Sequence, residues 1–302
     1  MDLKRSWMFV PGHRHRFVEK AMGLTCDLMM LDIEDGVPPD EKQAARELIA
    51  EALGWERQPG SPTRFVRINA VGHERSKADL EWVVRPGLDG LTLPKVQYAE
   101  EVQQIANYLD KREPEVGLAP GSVELHIAIE SPRGMFNALA IVEASPRVVG
   151  LMFGAEDYGW ELGLPAIREG EAAELIHARS SIVMAARAAH VQVVDGVWPN
   201  LQDTDGLMRD ITRSRRLGFS GKSLFHPSQI DAINASFSPT PEEIDYCQRV
   251  SAAFDEAMAR GDGSIAFGGQ LVDLPIVERA RATLRLAGLL ADETHPGEEL
   301  NR

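Results

Sequence analysis

The sequence predicts an α/β protein of the (β/α)8 class, a closed TIM barrel of eight parallel strands with a helical extension after it. Short β-rich apolar runs alternate with helix-like segments along most of the chain. Most of these runs are apolar on both faces, as parallel strands covered by helices should be. A doubly wound open sheet is the alternative, but no GxGxxG motif follows the first run.

The predicted strands are spaced regularly along the chain. They are residues 6–10, 27–33, 64–68, 88–93, 123–129, 147–153, 191–195 and 219–224. Helical patterns lie between them, for example at 40–53, where Pro39 and Asp40 are favourable helix-start residues, and at 173–189. We therefore assign the barrel to residues 1–235.

Residues 236–302 form a predicted carboxyl-terminal helical extension, with helices near 241–260 and 275–290. The segment RGDGSIAFGGQ between these helices is rich in glycine and serine, which predicts a mobile connection. We expect the extension to act as a lid, or as an arm that docks on a neighbouring subunit.

The composition excludes several classes of protein. A net charge of −14 argues against a nucleic-acid partner, because phosphate binding needs a basic surface, although a small anionic ligand can still be bound by local arginines. No apolar run approaches the roughly 18 residues of a membrane span, and MDLKRSWMFVPGH does not resemble a secretory signal. Cys26 and Cys247 are too isolated for a disulfide framework or a zinc site. We expect a cytoplasmic protein that binds neither nucleic acid nor membrane.

Polar residues follow most of the predicted strands. Because the carboxyl ends of the strands in a (β/α)8 barrel face the active site, these residues are candidate site residues. They are Glu34, Asp35, Arg67, Asn69, Lys95, Glu130, Glu156, Asp157 and His226. A ring of acids and bases at one end of an otherwise apolar barrel is typical of a catalytic site.

Glu130 and Asp157 follow adjacent strands, so their carboxylates are expected to converge. Oxygen ligands without a nearby Cys or His pair favour Mg²⁺, or Mn²⁺, over zinc. Gly154 and Gly159 would let the backbone turn and let a ligand approach. The alternative is that either acid caps the next helix or pairs with an arginine.

Arg67 is expected to point into the barrel together with Phe65, because alternate residues of a strand share a face. There it would bind a substrate carboxylate through two hydrogen bonds. The alternative is a salt bridge to Glu34 or Asp35, and a similar alternative applies to Lys95.

Eight short segments stand in order over residues 5–281. They are RSWMFVPGHRHRFVEKA, LDIEDGVPPDEKQAAR, VRIN, LPKV, IESPRG, FGAEDYGWELG, GKSLFHPSQI and GGQLVDLPIVERA. Together they resemble the citrate lyase β-subunit/malyl-CoA lyase family, within the HpcH/HpaI aldolase group.

The resemblance implies a homotrimeric or homohexameric barrel that binds Mg²⁺ and cleaves or forms a C–C bond in a 3-hydroxyacyl-CoA. Such a substrate is citramalyl-CoA, malyl-CoA or citryl-CoA, and the products are acetyl-CoA and a 2-oxo acid. A malyl-CoA-type thioesterase that uses the same site and a CoA-independent 2-oxo acid aldolase are the alternatives. The sequence does not indicate an acyl-carrier subunit as a further partner.

The resemblance also implies roles for residues around the metal. Glu130 and Asp157 match the metal ligands. Arg67 matches the arginine that binds the substrate carboxylate, and Glu130 also faces the substrate. Glu34 and Asp35 match an acidic pair behind the metal and its waters.

Two further parts of the site are implied in the same way. Phe9, Arg14 and Lys20 fall where the first loop and helix of the family meet the CoA part of the substrate. Asp273 matches a catalytic acid that the carboxyl-terminal arm donates to the active site of a neighbouring subunit.

Overall fold

A computed structural model of the chain describes residues 4–165 and 172–291. The chain divides into two compact units, Met1–Phe237 and Ser238–Arg302. Within the described ranges, no helix is both long enough and apolar enough to cross a membrane.

The first unit is built on a closed barrel of eight parallel strands. The strands are β1 (Ser6–Pro11), β2 (Leu28–Asp32), β3 (Thr63–Arg67), β4 (Gly90–Leu93), β5 (Glu124–Ile129), β6 (Val148–Phe153), β7 (Gln192–Asp195) and β8 (Gly221–Leu224). Each strand pairs with the next one along the chain, and β8 pairs with β1 to close the ring. The predicted (β/α)8 fold is therefore confirmed.

Helices connect the strands. They are α1 (His15–Ala21), α2 (Lys42–Leu53), α3 (Glu74–Val83), α4 (Ala99–Glu115), α5 (Pro132–Phe136), α6 (Ala138–Val142), α7 (Ala155–Glu161), α8 (Ile176–Ala188), α9 (Thr204–Leu217) and α10 (Ile230–Phe237). The two helices predicted at 40–53 and 173–189 are α2 and α8, and each begins with a 3-10 turn. A third such turn, Pro227–Gln229, precedes α10.

Alternate residues of the strands point into the barrel and out towards the helices. In β1, Trp7 and Phe9 belong to the inner core, whereas Met8 and Val10 belong to the outer one. The inner core also encloses His126, whose ring stacks on Trp7 at 3.9 Å between ring centroids and on Phe65 at 4.2 Å. Burial lowers the pKa of His126 well below its ordinary value, so the ring is neutral at neutral pH.

The second unit consists of two helices and a hairpin. These are α11 (Pro241–Ala259), β9 (Ser264–Phe267), β10 (Gln270–Asp273) and α12 (Leu274–Leu286). Its core contains Cys247, Val250, Phe254, Val272, Val277, Ala280 and Leu284.

The prediction of a mobile connection in this unit is wrong, because the segment RGDGSIAFGGQ contains β9 and the start of β10, which pair antiparallel. Gly268 and Gly269 form the turn between these strands with φ of 59° and 79°. Positive φ at both central residues is what a tight type I′ hairpin requires. The glycines therefore specify a turn and not a flexible linker.

Candidate active site

A cavity of about 500 Å³ opens at the carboxyl-terminal end of the barrel strands. Residues from β1, β2, β3, β6 and β8 line it, together with residues that follow β2, β5, β6, β7 and β8. Its polar lining includes Asp32, Asp35, Arg67, Glu130, Glu156 and Asp157. The structure thus brings most of the predicted polar residues to one place.

Glu130 lines this cavity and is 4% exposed. Its Oε2 accepts a hydrogen bond of 2.8 Å from the backbone N–H of Lys95. The other oxygen, Oε1, lies only 2.4 Å from where a Cβ of Gly154 would be, so this carboxylate fits only because residue 154 is a glycine. Burial raises the pKa of Glu130 to about 7; Arg67 opposes this shift and Asp157 adds to it.

Asp157 lies in the first turn of α7, beside Glu156, and is partly exposed to the cavity. An acid in the first turn interacts favourably with the positive end of the helix dipole. The alternative that Asp157 stabilises the start of the next helix is therefore partly met. Glycine freedom is not what places it: Gly154 has an ordinary φ of −92°, and Gly159 lies within α7. The expectation that these two glycines are needed for the backbone to turn is therefore wrong.

The residues present fit a magnesium ion. Glu130 and Asp157 both line the cavity, and the charge of Asp157 adds to the raised pKa of Glu130, a repulsion that a divalent cation would relieve. Within the described ranges, no group of three or more His, Cys, Asp and Glu is arranged to hold a metal. Mg²⁺ is usually held by only one or two carboxylates, with waters and substrate oxygens as the other ligands.

Arg67 points into the cavity but is already engaged by protein carboxylates. Its Nε and NH2 donate to Asp32 at 2.7 and 2.8 Å, and its NH1 lies 3.2 Å from Glu34. The alternative prediction, a salt bridge to Glu34 or Asp35, is confirmed for Glu34. The carboxylate that accepts two hydrogen bonds from Arg67 is Asp32 and not Asp35. Burial lowers the pKa of Arg67, but the carboxylates of Asp32, Glu34 and Glu130 together more than compensate, so the net shift is upward and the guanidinium stays charged.

The sequence reasoning missed Asp32. This residue ends β2 directly beside Arg67, which ends β3 in register with it, and both follow inward-facing residues two positions earlier, Met30 and Phe65. The same period-two alternation that places Arg67 inside the barrel also predicts an inward Asp32. The segment LDIED, residues 31–35, therefore already contains the alternation that predicts an inward-facing Asp32.

Lys95 connects the two adjacent acids Glu34 and Asp35. Its Nζ donates to Glu34 at 2.7 Å and to Asp35 at 2.6 Å, and it lies 4.0 Å from Asp157. Lys95 also has a φ of 55°, an uncommon conformation for a residue with a side chain. Burial raises the pKa of Glu34. Burial is also the largest influence on Asp35, but hydrogen bonds with Lys95 and Glu34 and the charges of Lys95 and Arg67 together outweigh it and lower the pKa of Asp35.

Two other polar residues at strand ends do not line the cavity in the described part of the chain. Asn69 donates through Nδ2 to Asp79 at 2.6 Å. His226 precedes the 3-10 turn before α10, and its Nδ1 accepts from the backbone N–H of Ser228. Both side chains have local structural partners.

A second cavity, of about 260 Å³, lies beside the first between β1, α1 and the end of β8. Phe9 and Phe225 line both cavities, and Lys20 lines the second. Arg14 is exposed, is the N-cap residue of α1 and lines neither of these cavities. Two of the three residues expected to meet CoA are thus brought together, and Arg14 is not.

Asp273 belongs to the second unit. It ends β10 and is the N-cap residue of α12, where its side chain makes no capping hydrogen bond. The residue is exposed, so the carboxylate is accessible from outside its own unit.

The fold and the acidic cavity together define a (β/α)8 protein with a polar site at the carboxyl ends of its strands. The family model for HpcH/HpaI aldolase/citrate lyase matches residues 5–227. The chain belongs to this family.

Three similar proteins cover nearly the whole chain. Citrate lyase subunit beta from Leuconostoc mesenteroides subsp. cremoris is 39% identical over 94% of this chain and 93% of its own length. A (3S)-malyl-CoA thioesterase from Cereibacter sphaeroides is 35% identical over 95% of both chains. The crystal structure of the protein CitE from Mycobacterium tuberculosis, in complex with magnesium, acetoacetate and coenzyme A, superposes with a TM-score of 0.78, at 31% identity, over 95% of this chain and 98% of that one.

Proposed function

We propose that this protein is a Mg²⁺-dependent carbon–carbon lyase that acts on a 3-hydroxyacyl-CoA thioester, R–C(OH)(COO⁻)–CH₂–CO–SCoA. The observation that carries the proposal is the buried Glu130 beside Asp157 and Arg67 in one cavity, at the end of the barrel where (β/α)8 enzymes act. The related CitE was crystallised with magnesium and coenzyme A, which agrees with both the metal and the thioester.

Glu130 and Asp157 would hold the Mg²⁺ ion. When bound, the ion supplies Lewis-acid polarisation of the hydroxyl and carboxylate oxygens of the substrate. Arg67 would orient the carboxylate and offset negative charge that grows on the oxygens, a contribution often worth ~3 kcal/mol per donor. Glu34, Asp35 and Lys95 would support these groups, because Lys95 binds both acids and Glu34 also contacts Arg67.

The reaction is balanced as follows. The hydroxyl of the substrate gives its proton to a solvent water, the bond between the hydroxyl carbon and the CH₂ group breaks, and a 2-oxo acid forms. Solvent later returns a proton to Asp273, so the overall reaction neither gains nor loses one. The electron pair of that bond passes to the CH₂ carbon, which becomes the enolate of acetyl-CoA. Asp273, in its protonated form, would deliver a proton to this carbon, and in the reverse direction its carboxylate would remove one.

Asp273 would act on the site of a neighbouring subunit in a homotrimer or homohexamer, with residues 236–302 as the docking arm. Its exposure and the lack of a capping hydrogen bond support this role. In a Mg²⁺-saturated assay, Asp273→Asn should reduce turnover at least ~100-fold and leave Mg²⁺ affinity unchanged. Normal turnover of this variant would show that the acid is another residue.

Co-expression tests whether the acid acts in trans. Asp273→Asn and Glu130→Gln should each be inactive alone, whereas oligomers that contain both variants should regain part of the wild-type activity. Such oligomers hold some sites with an intact Glu130 and a neighbour's intact Asp273. Mixed oligomers as inactive as either parent would exclude donation between subunits.

Hydrolysis of the thioester is the second candidate, favoured by the similarity to the (3S)-malyl-CoA thioesterase. Mass spectrometry of the products separates the two reactions, because a lyase yields acetyl-CoA and a 2-oxo acid, whereas a thioesterase yields free CoA and the intact hydroxy acid. The cavity beside Phe9 and Lys20 supports binding of the CoA moiety and counts against a CoA-independent aldolase.

A further inference from the structure

The buried carboxylate of Glu130 is oriented by a peptide group. In the part of the chain that the structure describes, the backbone N–H of Lys95 is the one hydrogen-bond donor to this carboxylate, with 2.8 Å between the nitrogen and Oε2. The charge of Arg67 favours the ionised form of Glu130 but supplies no hydrogen bond to it within the same described residues. The loop that follows β4 therefore sets where Oε2 points.

Lys95 donates this hydrogen bond from a left-handed backbone conformation, with φ of 55°. The value of φ sets the angle between the N–H and Cα–Cβ bonds of a residue: at about −60° both bonds point to the same side, whereas at 55° they point apart. The N–H of Lys95 can therefore face Glu130 while the side chain extends towards other acids. Its Nζ binds Glu34 and Asp35 at 2.7 and 2.6 Å and lies 4.0 Å from Asp157.

Two contacts with the segment after β5 hold the residues that follow Lys95. The carbonyl oxygen of Val96 lies 2.5 Å from where a Cβ of Gly134 would be, so the two backbones approach this closely only because residue 134 is a glycine. The carbonyl oxygen of Gln97 accepts a hydrogen bond of 2.8 Å from Nδ2 of Asn137. A left-handed residue with a side chain is strained and persists only where its surroundings enforce that conformation. These contacts and those of Nζ enforce it here.

We infer that Lys95 is a positioning residue for Glu130, that it acts through its backbone N–H, and that its left-handed conformation is required for this action. The inference rests on the proposed function, in which Glu130 binds Mg²⁺. It goes beyond that function, because it gives the peptide group of Lys95 a role separate from that of its ammonium group.

Lys95→Gly and Lys95→Ala test the conformation, because both remove the cation and keep the N–H but only glycine adopts positive φ without strain. Isothermal titration calorimetry should give a dissociation constant for Mg²⁺ at least ~5-fold higher for Lys95→Ala than for Lys95→Gly, since the left-handed conformation is costly for alanine. Without metal, Lys95→Gly should also unfold about 2–4 °C above Lys95→Ala, the reverse of the order expected at an ordinary position.

Lys111, an exposed residue of α4, provides the matched control. Lys111→Gly and Lys111→Ala should bind Mg²⁺ as the wild type does, and here the alanine variant should be the more stable one. Equal dissociation constants for Lys95→Gly and Lys95→Ala would overturn the inference and leave the proposed function intact. A wild-type protein that binds no Mg²⁺ would overturn the proposed metal role of Glu130 together with the inference.

Gly134→Ala tests the loop without changing Lys95. Its Cβ would lie 2.5 Å from the carbonyl oxygen of Val96, so the adjacent N–H of Lys95 should move. We expect the dissociation constant for Mg²⁺ to rise at least ~5-fold, because small displacements of a positioned group are costly. Gly159→Ala, whose Cβ would meet its nearest neighbour at 3.7 Å, should bind as the wild type does.

Asn137→Ala approaches the same loop from a second contact. It removes the hydrogen bond to the carbonyl oxygen of Gln97 and should also raise the dissociation constant for Mg²⁺, by a smaller factor than Gly134→Ala. This variant inserts no atom, so it remains informative if Gly134→Ala does not fold. Wild-type affinity in Asn137→Ala and in a folded Gly134→Ala protein would contradict the role of the loop in orienting Glu130.

Discussion

Asp32 holds Arg67 through two parallel hydrogen bonds of 2.7 and 2.8 Å, at the ends of two strands that lie side by side. The pair is almost fully buried, with side-chain exposures of 4% and 11%. This contact fixes the plane of the guanidinium, which also lies over the ring of Phe9, 4.7 Å from its centroid. Asp32 is therefore a positioning residue for the proposed substrate-binding arginine.

Asp32→Asn should release Arg67 and leave its charge poorly compensated. We expect the free energy of unfolding to fall by about 3 kcal/mol, because removal of one partner of a buried pair leaves the other charge unpaired. We expect kcat/KM to fall up to about 100-fold, because a misplacement of about 1 Å is enough for such a loss. Urea denaturation and steady-state kinetics measure the two effects.

The matched control is Asp35→Asn. Asp35 is 59% exposed and pairs with Lys95 near the surface, so the loss of stability should stay below about 1 kcal/mol. Equal losses for both variants would contradict the distinct role of Asp32.

Mg²⁺ binding should depend on Glu130 and Asp157. Glu130→Gln and Asp157→Asn should each weaken the affinity at least ~100-fold, since loss of an outer neighbour of a metal ligand alone costs 10- to 100-fold. Isothermal titration calorimetry, or Mn²⁺ titration followed by electron paramagnetic resonance, measures the metal affinity without any substrate. Glu161→Gln, at the far end of α7, should bind as the wild type does. Unchanged affinity in both variants would show that Glu130 and Asp157 do not bind the metal.

The affinity for Mg²⁺ should fall in acid. Burial raises the pKa of Glu130 to about 7, so below that pH the metal must displace a proton from this carboxyl group. The dissociation constant should increase by about tenfold for each pH unit below 7 and level off above it, as linkage to one proton requires. A dissociation constant that stays the same from pH 5.5 to pH 8 would mean that Glu130 binds no metal or is ionised throughout.

Gly154→Ala should disturb the site without changing any charge. Its Cβ would lie 2.4 Å from Oε1 of Glu130, so the carboxylate must move. We expect a loss of stability of about 1–3 kcal/mol and a weaker affinity for Mg²⁺.

Gly159→Ala in the same helix is the control, because its nearest neighbour would lie at 3.7 Å. A helical Gly→Ala change that meets no clash should stabilise by about 0.5–1 kcal/mol. Similar effects at the two positions would show that residue 154 has no special role. Thermal unfolding and calorimetry compare the two variants.

Patterns within single segments predicted the barrel well. Apolar runs such as LMMLD and VVGLMF define the strands, and alternation within RFVRIN correctly placed Arg67 inside. The acids that follow β5 and β6 converge because neighbouring parallel strands end at the same edge. These features need only local sequence and the geometry of the fold.

Features that depend on contacts between segments were not predicted. The choice of Asp32 over Asp35 as partner of Arg67 depends on the register between β2 and β3, which no single segment encodes. Gly154 was taken for a flexible residue, but its function is to leave space for a side chain from another strand. Likewise, Lys95, whose backbone adopts a left-handed conformation, contacts acids from two separate segments: Glu34 and Asp35 after β2, and Asp157 in α7.

The ring closure between β1 and β8 has a consequence for how the protein is made. Strand β1 leaves the ribosome long before β8 is synthesised. The edge of β1 that pairs with β8 therefore stays unpaired until the last strand is made. The carboxylates proposed to bind the metal, Glu130 and Asp157, follow β5 and β6 and are already translated during that interval. The distance between these carboxylates depends on the curvature of the finished ring. A nascent chain should therefore bind the ion only after its last strand has been inserted. Metal uptake would then report that folding is complete.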